Sequence, residues 1–303
     1  MRINLQHQPR GILHAVVATA LALMLCACAA VTRPPDPSRP RGASDQPYPV
    51  VLNANPEREA SALAAWSNLL GAGAAGALPT PALRPVTATL IALPPNLSTL
   101  PRMPRVIVKD APQQSEEETR ESLRRFIERA APLLGVAPGE LSLVEVTDAP
   151  GGAKRARYRQ TPFRFPLRNG YGDVEVIFTP DLRVSGLSST AIPDAERLRL
   201  ALAAFRGQLI PAEKAVASLA DRIVAFTDAA GIEQSHTVSA TGDATARELV
   251  VFPVQRDGDA VAASTLELHI AWEIYLGAQS PPLLVYVDAL TGEQLSAGVA
   301  GGD

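Results

Sequence analysis

The sequence predicts an α+β protein in which two tandem modules each lay a helix across a curved antiparallel β-sheet. Three observations carry that expectation. Helical periodicity opens two regions, at 115–135 and 210–225, and each is followed by period-two stretches separated by turn residues. The stretch 264–276 alternates strictly, with Leu266, Leu268, Ile270, Trp272, Ile274 and Leu276 set against Glu267, His269, Ala271, Glu273 and Tyr275. The 27 prolines of the 303 residues concentrate at 34–49 and 79–104, which marks those segments as irregular.

At the N-terminus, Arg2 and Arg10 precede an apolar run over 12–25. Its length falls short of the roughly 30 Å of hydrocarbon that a membrane helix crosses, so 1–27 reads as a secretory signal. The run ends in Leu25-Cys26-Ala27-Cys28, which resembles the bacterial lipobox; an ordinary cleaved signal would favour Ala-x-Ala instead. The resemblance implies acylation of Cys28, a lipid bilayer as partner through that residue, and, with Ala29 following, an outer-membrane lipoprotein facing the periplasm or the cell surface. Cys26 and Cys28 are the only cysteines, so the mature chain has no internal disulfide and its core must suffice.

Net charge is −3 and evenly spread, which leaves no basic stripe for nucleic acid. Residues 28–50 read as a proline-rich tether. Over 51–104 a helix precedes an irregular segment: Asn55-Pro56 is an N-cap with proline at the first helical position, Leu63, Trp66, Leu69 and Leu70 recur at helical spacing, and Gly71 is the stop. The residues 71–76 spell GxGxxG, but after a helix and without a following acid they form no dinucleotide loop, and no cofactor is expected. A short strand is expected at 86–93.

The first module spans 105–200. Ser115 and Glu118 form a capping box, Leu123, Phe126, Ile127, Ala130 and Leu134 form one stripe, and Gly135 ends the helix. Strands are expected at 141–146, 156–160, 173–179 and 182–187. The second module spans 201–303, with its helix at 210–225 and strands at 248–255, 264–276, 283–288 and 293–296. A helix over 194–208 joins the two.

The ending, Leu268-His269-Ile270-Ala271-Trp272-Glu273-Ile274-Tyr275 followed by Leu284 through Glu293, resembles the PepSY-type end of thermolysin-like protease propeptides. Upstream, Tyr158-Arg159-Gln160 and the strands after it resemble the fungalysin/thermolysin propeptide (FTP) module, except that a longer 161–171 segment follows the glutamine. The resemblance implies a fold that covers or chaperones a zinc metalloprotease. The chain itself has no HExxH and no GxSxG, and no enzyme activity is expected.

His269 and Glu273, four apart on a strand with Glu267 beside them, are the weak metal-ligand candidates, on a face expected to be solvated. Asp288, Thr291 and Gly292 are expected to shape a turn. The function expected is a membrane-anchored, propeptide-like module that binds a secreted zinc metalloprotease in trans through the exposed 296–303 tail. The alternative is a structural or assembly lipoprotein that binds another envelope protein.

Overall fold

The structure, a computed structural model, describes residues 47–71, 79–106, 116–161, 163–228, 230–239, 242–258, 263–277 and 282–299. The signal segment, Cys28, most of the tether, the glycine-rich break after Gly71, Ser115 and the last four residues of the tail lie outside the described residues. The described residues belong to one compact unit of the α+β class, rich in antiparallel sheet.

Its first element was not expected. β1 (Val50–Asn53) is a strand, and Tyr48 ahead of it is half-buried, so the end of the expected tether belongs to the fold. Nothing local announces it, because its partner, β11 (Thr265–Leu276), lies far along the chain.

Helix α1 (Pro56–Leu70) starts as expected, with Asn55 Oδ1 accepting the Glu57 amide at 2.8 Å, and stops at Gly71. It buries Ala62, Ala65, Trp66, Leu69 and Leu70. The expected 86–93 strand shrinks to β3 (Leu90–Ala92), paired with β2 (Ala82–Leu83). Residues 84–89 are a turn instead, closed by the Arg84 amide on the Thr89 carbonyl at 2.9 Å, with Ala88 left-handed at φ 54°.

Helix α2 (Glu116–Leu134) packs beside α1 and buries the expected stripe, Leu123, Phe126, Ile127, Ala130 and Leu134. Gly135 ends it at φ 72°, where a Cβ would stand 2.5 Å from Thr89 Cγ2. Both helices cover one face of a four-stranded antiparallel sheet in the order β4 (Leu141–Ala149), β5 (Ala153–Gln160), β6 (Asp173–Phe178), β7 (Val184–Ser189). Gln160, buried at the end of β5, acts as an extra rung: its amide group donates to the Ile192 carbonyl and accepts from the Ile192 amide, both at 2.9 Å.

Helix α3 (Ala195–Ala203) occupies part of the expected 194–208 helix and packs on the second sheet. The expected 210–225 helix is wrong beyond its first turns. Helix α4 (Ala212–Ala217) is short and capped by Ser218, Asp221 after it is left-handed at φ 59°, and β8 (Ile223–Thr227) follows, paired with β9 (Glu233–Thr237). Ile223 and Val224 match helical spacing, but adjacent β-branched residues and Phe226 favour the extended form.

The second sheet also contains β10 (Ala244–Arg256), β12 (Leu283–Asp288) and β13 (Gln294–Val299). β10 pairs along the whole of one side of β11, while β1 and β12 share the other side end to end. Apolar residues of β11 and β12 face α3 and α4, forming the core that the alternation of β11 announces. The two helix-on-sheet layers are interlocked and not strung as beads. β1 crosses into the second sheet, and the 166–168 backbone runs along β10, with the Val251 amide on the Pro166 carbonyl at 2.9 Å and the Arg168 amide on the Val251 carbonyl at 3.1 Å.

Candidate functional site

The face of β11 expected to be wet is covered. His269 is 7% exposed and Glu273 is 1% exposed. On an extended strand, side chains four residues apart lie about 13 Å from one another, too far to share an ion. The structure accordingly divides these residues between two polar knots.

In the first knot, His269 Nδ1 and Asp288 Oδ2 share a hydrogen bond of 2.7 Å, and the Tyr48 hydroxyl donates to the same oxygen at 2.8 Å. The Ile270 amide in turn donates to the Tyr48 oxygen at 3.0 Å, so the phenol bridges strand backbone and carboxylate. Asp288 Oδ1 accepts the Leu290 and Thr291 amides at 2.7 and 2.9 Å, and Gly292 takes φ 76°. Thr291 Oγ1 accepts the Glu293 amide at 3.3 Å, and Glu267 Oε2 stands 3.4 Å from His269 Nε2.

Burial works against the Asp288 charge, but the hydrogen bonds from His269, the two amides and Tyr48 outweigh it and hold this carboxyl below the ordinary range. Burial, and then the Asp288 charge, push the Tyr48 hydroxyl up, so it remains a donor. The result is a cross-brace between β1, β11 and the β12–β13 turn.

In the second knot, Glu273 accepts from Arg168 Nε at 2.7 Å, Arg247 Nη1 at 2.8 Å and the Tyr286 hydroxyl at 3.2 Å. Arg168 also reaches Glu248 at 2.7 Å. Burial opposes the charge on Glu273, and the two guanidinium groups overcome it, leaving the carboxyl below its ordinary value. Both Glu273 oxygens are thus satisfied by cations. Among the described residues no group of three or more His, Cys, Asp or Glu side chains is placed to hold a metal ion.

A site open to a partner lies on the other sheet. β4 is an edge strand, and among the described residues β5 is its one strand neighbour. The opposite edge, β7, is covered: the Val184 amide donates to the Pro101 carbonyl at 2.8 Å, and the Met103 amide to the Leu182 carbonyl at 2.9 Å. β4 is nine residues long and leaves Val144 48% and Val146 39% exposed, with a register shift between Leu143 and Glu145.

Between this edge and α2 opens a recess of about 190 Å³, floored by Ile127, Leu141, Leu143 and Tyr158 and rimmed by Arg120 and Arg124. Burial pushes the Tyr158 hydroxyl up to about 12, so the floor is neutral. The arrangement suits an extended peptide that adds a strand to β4 and seats an apolar side chain in the recess. The alternation of β4 was visible in the sequence, but its edge position was not, since edge and interior strands differ only in what pairs beyond them.

No family model matches the chain, and no curated protein matches it. Among solved structures, the C-terminal domain of YpeB from Bacillus megaterium is similar at a TM-score of 0.24 and 11% identity, over 71% of this chain and 74% of that one. A likeness that weak carries no argument, and the fold class rests on the elements described above.

Proposed function

We propose that this chain is an acylated envelope lipoprotein whose folded unit binds an extended segment of another protein along β4. Cys28 is the lipid anchor, and the proline-rich residues after it are the tether that precedes Tyr48. The observation that carries the binding role is the open β4 edge with its two exposed valines beside an apolar recess. Strand addition gives affinity through main-chain hydrogen bonds and selectivity through the pocket.

The partner class follows from the resemblance to FTP and PepSY propeptides: a secreted, thermolysin-like zinc metalloprotease, inhibited or chaperoned in trans at the outer membrane. One observation favours the second reading, an assembly lipoprotein with no protease link. The 161–171 segment, where the sequence departs from the FTP pattern, is spent on docking Arg168 into the second sheet, so the inherited surface is remade there.

Val146→Pro tests the binding role, because proline removes a donor from the free edge while its side chain stays at the surface. Envelope proteins captured by the wild-type unit should be lost with this variant. Equal capture by both would refute strand addition at β4. Inhibition of a thermolysin-like enzyme by the purified unit supports the protease reading; no inhibition, with capture intact, assigns the module to the second. Labelled palmitate should appear on the wild type and vanish with Cys28→Ser, and label retained in that variant would end the anchor reading.

A further inference from the structure

Most arginines of the folded unit stand against an acid, as Arg120, Arg155, Arg168, Arg183 and Arg247 do. Among the described residues Arg164 and Arg206 are two of the six that have none, the others being Arg84, Arg105, Arg129 and Arg222. Arg206 is exposed, and Arg164 lies over the Phe165 ring at 5.5 Å. Both line one shallow recess together with Arg199, above a floor that includes Phe163, Leu202 and Val251.

The chain builds this recess from two directions. α3 and the turn after it carry Arg199, Ala203 and Arg206 along one flank, at i, i+4 and i+7. The segment before Pro166 brings Arg164 to the other side, pinned by the backbone bonds to Val251. Arg199 is satisfied by Glu196 on its own helix at 2.6 Å, so the unneutralised charge is that of Arg164 and Arg206.

This is also where the chain enters the fold. The Tyr48 ring packs edge-on against Phe205, the residue before Arg206, with centroids 5.0 Å apart. A tether from Cys28 to Pro47 spans at most about 65 Å when fully extended. Its bilayer is therefore within reach of this side of the unit.

We propose that the Arg164–Arg199–Arg206 recess docks on anionic phospholipid headgroups of the membrane that holds the chain. A guanidinium pair matches a phosphate in charge and donor geometry. The apolar floor of Phe163, Leu202 and Val251 takes the glycerol portion of the lipid. The inference rests on the tether in the proposed function and is independent of the β4 edge.

Its test uses residues 29–303, the mature chain without its acylated Cys28, and vesicles of phosphatidylcholine with or without phosphatidylglycerol. Binding is expected to the anionic vesicles alone, and it should weaken strongly as salt shortens the Debye length to about 3 Å at 1 M. Arg164→Gln with Arg206→Gln should weaken it about thirtyfold, since each basic residue near an anionic surface is worth about fivefold. Both side chains are exposed, so the thermal midpoint of the double variant should match the wild type. Equal binding to neutral vesicles, no binding to anionic ones, or undiminished binding by the double variant would overturn the proposal. So would tighter binding to polyglutamate than to the anionic vesicles, which would give the recess to an acidic peptide. Because the chain tested has no acyl group, failure here leaves the Cys28 anchor to the palmitate experiment.

Discussion

Replacing Arg168 with Met should destabilise the folded unit by about 3 kcal/mol. Met retains much of the arginine stem and deletes the charge. Glu273, 1% exposed, would keep Arg247 on one oxygen and Tyr286 on the other, but would lose the better-buried of its two cations. Stranding one partner of a buried pair costs about 3–5 kcal/mol, and the surviving Arg247 contact places this case at the low end. For a domain of this size about 2–4 °C accompanies each kcal/mol, so calorimetry should show the midpoint about 6–12 °C lower. Adding Glu273→Gln to the same chain removes the stranded charge and should recover part of the loss, a non-additivity expected only of residues in contact. A midpoint within about 2 °C of wild type for the single variant, or strictly additive effects in the double, would refute the account of this knot.

Tyr48→Phe removes a donor from Asp288 and leaves the Ile270 amide without its acceptor. It should cost about 1–3 kcal/mol and speed hydrogen exchange at Ile270; unchanged exchange there would count against the cross-brace. Asp288 and Glu273 both titrate lower folded than unfolded, so below about pH 4.5 the unfolded chain binds more protons. Their stabilisation is therefore fully present above that pH and lost as acid reaches the folded values. Thermal midpoints should fall on acidification, less steeply for Glu273→Gln, and a midpoint that rises in acid would contradict the assignment. Gly135→Ala meets both a left-handed backbone and Thr89 Cγ2, and should cost about 2 kcal/mol or more in urea unfolding.

What the sequence discloses is what neighbours in the chain decide. The Asn55-Pro56 start of α1, the Gly135 stop of α2 and the alternation of β11 all depend on residues within a few positions of one another. What it conceals depends on distant partners. His269 and Glu273 follow a polar alternation that reads as a solvated face, yet Tyr48 covers one knot and Arg168, 105 positions from Glu273, reaches into the other. β1 is invisible for the same reason: four residues after a proline-rich run become a strand only because β11 has a vacant edge beyond the end of β12. At 223–227 two periodicities compete over the same residues, and pairing with β9 decides between them. The β4 groove is the mirror case, a strand legible in the sequence whose open side emerges only once the order of the sheet is known.

The most direct test of the binding role places a photo-cross-linking benzoylphenylalanine at Val144, on the open edge, and separately at Asp181, in the exposed β6–β7 turn, in full-length protein in intact cells. A discrete protein adduct from position 144 that is absent from position 181 is the predicted result. No adduct at 144, or the same adducts from both positions, would contradict a partner strand at β4.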